Sequence, residues 1–169
     1  MIINKTYLPL QILSNPVLII PSFLMIFFFQ GPIPEEFGWR GYALPRLTEK
    51  FGFIKAALLL GAIWALWHLP GFFMEGVSQS GMPIIPYFIT VIALSVIIAW
   101  IYYGTGRNLL AALLTHTMFN LSIALFPPME FKKGADTAGF IYLSIFYVIA
   151  AFVIYRQVKK FGVDYGRNN

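Results

Sequence analysis

The sequence predicts an all-α fold: a multi-pass bundle of about five transmembrane helices plus an amphipathic or partly embedded helix. Three observations lead there. Of 169 residues, 59% are hydrophobic and only 11% are charged, against roughly a quarter charged in an ordinary soluble domain. Mean hydropathy is +0.73. The apolar residues fall in five runs, each near the ~20 residues needed to cross a bilayer. Runs on this scale leave too little polar chain to cover them, so spanning helices are preferred over the buried helices of a soluble core. The length suits one membrane-embedded domain, 1–169, with residues 30–125 carrying the polar motifs.

The first run, Tyr7 to Phe29, is interrupted by Gln11, Ser14, Asn15 and two prolines and is the weakest. After it comes EEFGWRGYALPRLTEK, amphipathic rather than apolar, which reads as a helix at the interface or partly embedded. Pro34 suits the first turn of that helix, where its missing N–H costs nothing. The second run, Ala56 to Met74, contains His68, with Pro70 expected to kink or loosen the helix. The third, Met82 to Tyr103, has no charge, and Gly104 and Gly106 mark the turn after it. The fourth, Leu109 to about Phe126, holds His116 and Asn120 and ends at Pro127 and Pro128. The fifth runs from Ala138 to Tyr155.

The chain has no cysteine, which excludes disulfides and thiolate metal sites. The net charge of +5 comes from basic residues at the ends of apolar runs. That placement fits lipid head groups and argues against nucleic acid as a partner. No short, small-residue-terminated signal peptide is evident at the N-terminus. Arg40, Arg46, Lys50, Lys55, Arg107, Arg156, Lys159 and Lys160 vote for one side, and Lys5, Lys132 and Lys133 for the other. An outside N-terminus and a cytoplasmic C-terminus follow.

Three polar groups stand out against this background. Glu35 and Glu36 are two of only seven acids and lie next to each other. In a helix, Glu36 and Arg40 share a face at i, i+4 and can pair. Glu35 points about 100° away and can face a cavity. A plainer reading stays open, since acids in a first helical turn also favour the positive end of the helix dipole. The second group is Trp64 and His68, and the third is His116 and Asn120, each again at i, i+4. The chain's two histidines both lie inside apolar runs, where ionisable groups are costly and usually face the bundle interior. Together these residues can activate water and stabilise an oxyanion, or hold a metal through two imidazoles and a carboxylate. There is no HExxH helix and no GxSxG elbow. Counted from the expected starts of their helices, His68 and His116 differ in depth by about 8 Å, which a kink or tilt must close for them to share a site.

In these motifs the sequence resembles the CPBP family of intramembrane glutamic endopeptidases or metalloproteases, named for CAAX proteases and bacteriocin-processing enzymes and also called Abi. That family includes proteins like CAAX prenyl protease 2 and lysostaphin resistance protein A. Its pattern is EExxxR, FxxxH, then HxxxN or HxxxD. Here the motifs are Glu35-Glu36-Phe37-Gly38-Trp39-Arg40, Trp64-Ala65-Leu66-Trp67-His68 with Trp in place of Phe, and His116-Thr117-Met118-Phe119-Asn120. The match covers roughly residues 30 to 125. Family members often carry further helices before the first motif, so this chain is expected to be a minimal or truncated member.

The resemblance implies hydrolysis of a peptide bond in or near the membrane. Glu35 would activate water with help from His68. His116 and Asn120 would polarise the carbonyl or stabilise the oxyanion, and Arg40 and Glu36 would organise the glutamate pair. Both a divalent metal, zinc first, held by Glu35, His68 and His116 and a metal-free glutamate mechanism fit the family. The implied partner, besides the bilayer itself, is a hydrophobic or lipid-anchored peptide or protein. The competing reading is a non-proteolytic membrane protein in bacteriocin immunity or scaffolding, with the motifs as a polar network between helices. A transporter with broken helices is a third class, disfavoured by the lack of repeats.

Overall fold

The computed structural model describes residues 15–125, 137–161 and 165, all of its regular structure being helical. A 3₁₀ turn over Pro16–Leu18 leads into α1 (Ile19–Phe29). Gly31, at φ 112°, turns the chain between α1 and α2 (Pro32–Gly38). One π-helical turn, Trp39–Ala43, joins α2 to α3 (Leu44–Phe51). Pro45 gives this wide turn a physical reason. It has no N–H for the Gly41 carbonyl, and its ring would crowd that carbonyl in a regular α-helix. In the wider turn the Leu44 N–H reaches back to the Trp39 carbonyl instead.

Gly52, at φ 77°, separates α3 from α4 (Phe53–Trp67). A 3₁₀ turn over Leu69–Phe73 follows, and then come α5 (Ile84–Gly104), α6 (Leu109–Leu125) and α7 (Ala138–Phe161). Asn108 caps α6, its Oδ1 accepting the backbone N–H groups of Leu110 at 2.9 Å and Ala111 at 3.3 Å.

Among the described residues, four helical stretches are long and apolar enough to cross a membrane: Pro16–Phe51, Phe53–Phe73, Ile84–Gly104 and Ala138–Lys160. Leu109–Leu125 is a shorter apolar helix. The five expected spans thus resolve into four long helices and one short one. The boundaries also differ. Positions 7–14 of the first expected run lie outside the described residues, as do 126–128 and the basic residues Lys5, Lys132 and Lys133. In the second run the α-helix stops at Trp67, seven residues short of Met74, because Pro70 cannot continue it. The last helix runs on past Tyr155 to Phe161, with Lys159 and Lys160 in its final turn. The EExxxR helix turns one face into the bundle and leaves the other open, with Phe37 exposed. Glu36 and Arg40 are both 0% exposed.

The core forms where α4 packs on α5, and α5 on α7. Ala57, Gly61 and Ala65 make a buried small-residue stripe along α4 that lets α5 approach closely. The Ser95 hydroxyl donates to the Ala57 carbonyl at 3.0 Å across that contact. Thr90 and Ser144 meet at 2.9 Å between α5 and α7. With hydrocarbon outside, such hydroxyls and small residues join helices that apolar side chains alone would not select between. The outer faces are apolar in turn, with Met25, Phe29, Phe146, Ile149 and Phe152 all exposed.

A Cβ added at Gly61 would lie 2.9 Å from both Ile92 Cα and Ser95 Cβ, whereas one at Gly104 would meet nothing within 4 Å. Gly61→Ala should therefore lower stability by ~1–3 kcal/mol through overpacking. Gly104→Ala should leave it unchanged or slightly higher. Thermal unfolding of the two variants in the same detergent checks the contrast.

Candidate active site

The site forms where helices break. At the C-terminal end of α1 the Gln30 carbonyl lies just before the Gly31 turn, and the Asn120 Nδ2 of α6 donates to it at 3.0 Å. At the end of α4 the Trp64 carbonyl is among the last four that lack a regular helical partner. The His68 ring fills that place, with Nδ1 2.8 Å from the Trp64 oxygen. A carbonyl can only accept, so Nδ1 carries the proton, and in the neutral ring the lone pair sits on Nε2.

The two adjacent acids have separate environments. Glu36 Oε1 accepts from Arg40 Nη1 at 2.7 Å and from His116 Nδ1 at 2.9 Å. This carboxylate, guanidinium and imidazole are all buried and tie α2 and the π turn to α6. The Arg40 guanidinium lies over the Trp64 ring, 4.7 Å from its centroid. Glu35 is half-buried, and its Oε2 accepts from the Trp64 indole N–H at 2.6 Å. Its Oε1 lies against Gly31, where an added Cβ would come within 2.8 Å. Only glycine fits there, for this contact and for its positive φ alike.

Glu35, His68, His116 and Asn120 all line one cavity of about 1180 Å³. Glu36 and Arg40 stand behind it and do not line it. Despite the expected mismatch in depth, both histidines reach this cavity. Both rings pack on Trp64, with centroids 5.9 Å away for His68 and 5.1 Å for His116. His68 is further enclosed by Trp67 and Tyr87, at 5.2 and 5.6 Å. Sequence reasoning did not reach Gln30, Gly31 or Tyr87. Gln30 contributes through its backbone oxygen, Gly31 through an absent side chain, and Tyr87 from a helix without charge. Only the Pro- and Gly-rich break after Phe29 hinted at any of them.

The donor set suits a divalent ion in kind. Each imidazole has Nδ1 engaged by an oxygen and Nε2 left over, the orientation usual for metal-bound histidine. Among the described residues, no three His, Asp or Glu side chains gather closely enough to hold an ion.

This geometry can now be set beside known proteins. The sequence profile of the Type II CAAX prenyl endopeptidase Rce1-like family matches residues 16–122. The chain belongs to this family. The matched stretch contains all three motifs and α1 through most of α6. The chain is also 29% identical, over 133 residues, to the CAAX prenyl protease 2 of Methanococcus maripaludis, an alignment covering 75% of this chain and 47% of that protein. The chain thus spans about half the length of the curated relative it matches. With its apolar helices, this membership makes it a multi-pass membrane protein.

Removing one member of a buried ion pair strands the other. Arg40→Ala should cost ~3–5 kcal/mol of stability, while the paired replacement Glu36→Gln with Arg40→Met recovers much of the loss. Unfolding midpoints of the single and double variants test this.

Proposed function

We propose that this protein is an intramembrane endopeptidase that hydrolyses a peptide bond in a membrane-associated protein or peptide, residues 1–169 acting as one embedded domain around a protease-like core, 30–125. One observation carries the reading: Glu35, His68, His116 and Asn120 line a common cavity, while Glu36 is withdrawn behind it as the partner of Arg40. A solely structural polar network would have no reason to hold one acid of the pair at the cavity wall.

In the proposed reaction a water molecule sits between the Glu35 carboxylate and His68 Nε2. Glu35 takes one of its protons as the oxygen attacks the peptide carbonyl carbon. The carbonyl electron pair moves onto its oxygen. The second N–H of Asn120 Nδ2, the first being held by the Gln30 carbonyl, donates to that oxyanion, and His116, with protons on both ring nitrogens for this step, donates Nε2–H to it. The C–N bond then breaks and the proton on Glu35 passes to the leaving amine. Arg40 and Glu36 hold His116 in place throughout. Every proton in this sequence is moved by the chain's own side chains.

The substrate we propose is hydrophobic or lipid-anchored. A prenylated C-terminal CAAX peptide is the first to test, given the name of the Methanococcus relative. The proposed location is the cell membrane.

Purified protein in detergent should cleave such a peptide, and Glu35→Ala and His68→Ala should each slow cleavage by at least ~10²-fold. Equal rates in parent and variants would end the mechanism. A cellular phenotype that survives Glu35→Gln would favour a non-proteolytic role in immunity or scaffolding.

Cleavage should also persist after treatment with a strong chelator. If it is lost and restored by zinc, Glu35, His68 and His116 become proposed ligands and the water mechanism above is replaced.

A further inference from the structure

The family pattern carries Phe where this chain has Trp64, and the exchange adds something a phenyl ring lacks, a hydrogen-bond donor. The indole N–H reaches Glu35 Oε2 at 2.6 Å, a short bond typical of a charged acceptor. The indole itself is held tightly. Trp64 is 2% exposed, Arg40 lies over its ring at 4.7 Å, and the rings of His68 and His116 flank it. Glu35, by contrast, stands at the cavity wall, with its other oxygen against Gly31.

We propose that Trp64 is a positioning residue for the reaction: its indole N–H fixes the Glu35 carboxylate in the rotamer that turns Oε1 toward the water and keeps Oε2 out of the reaction. The inference rests on the proteolytic reading above. The physical reason is the number of free torsions. A glutamate has three side-chain rotations, and at a half-open cavity wall nothing else in the described structure anchors its Oε2. A donor on a rigid, buried ring removes that freedom in advance of substrate binding. Trp64 does not touch the reacting atoms and acts only through Glu35. Arg40, over the indole ring, supports this arrangement and links the buried ion pair to the carboxylate in the cavity through a single indole.

Trp64→Phe keeps a ring against both imidazoles and removes only the donor. It should lower kcat about tenfold or more, the scale of a lost hydrogen bond to a charged group, with KM within about twofold of the parent because a phenyl ring still fills the part of the cavity wall that Trp64 contributes. The bond itself can be read without turnover. The chain has four tryptophans, so ¹⁵N-labelled protein in micelles gives four indole N–H signals, and Trp64→Phe assigns one of them. In Glu35→Gln, close to isosteric and charge-neutral, that signal should move upfield while those of Trp39, Trp67 and Trp100 stay in place. A Trp64 signal unmoved in Glu35→Gln overturns the proposal, as does a Trp64→Phe variant with unchanged kcat or with a loss confined to KM. A parent that cleaves nothing overturns the proteolytic reading, and the indole signal then still decides whether the bond exists. If Trp64→Phe fails to fold, Glu35→Gln reads the same bond from its other end.

Discussion

Everything in the site depends on the buried meeting of Glu36, Arg40 and His116. Charges in a low-dielectric interior are tolerated only when paired, and here one carboxylate oxygen serves both a guanidinium and an imidazole. The demand for pairing brings α2 and the π turn onto α6, elements whose apolar side chains alone would not select one register over another. It also fixes which nitrogen of His116 is engaged. Arg40 then reaches further, since its planar face rests on Trp64 and so carries the influence of the pair from α2 to α4.

A second constraint is the fate of backbone carbonyls. In a hydrocarbon setting each must find a donor, and this chain breaks its helices where cavity-lining side chains supply them. The Gln30 carbonyl takes Asn120, and the Trp64 carbonyl takes His68. In each case satisfying the helix end also orients the side chain that faces the cavity. The breaks come from particular residues: Gly31 with its positive φ, and Pro70, which cannot extend α4. Stability and site geometry are therefore met by the same hydrogen bonds.

Membership of the Rce1-like family and the cavity's composition rest on different grounds. The first is a likeness of sequence across residues 16–122. The second is a convergence of side chains from α2, α4 and α6, along with the aromatic wall that α5 adds through Tyr87. Between them, Trp64 of α4 donates to Glu35 of α2 and so joins two of the motifs directly.

Much was legible in the amino acids alone. Hydropathy marked the apolar helices, because crossing or filling an apolar layer requires long runs without charge. The i, i+4 spacing marked Glu36 with Arg40, since a helix places those positions on one face whatever surrounds it. The rotation between adjacent residues likewise separated Glu35 from Glu36. Local spacing could not reveal that His116 would be the third partner of Glu36, eighty residues away, or that Trp64 would donate to Glu35. Nor could it foresee that α4 would end at Trp67, or that Glu36 and Arg40 would both be fully buried. Those outcomes depend on which helices pack together and how closely, through Gly61 and its small neighbours among others. Periodicity reports only the face a residue takes on its own helix, and tertiary packing decides what that face meets.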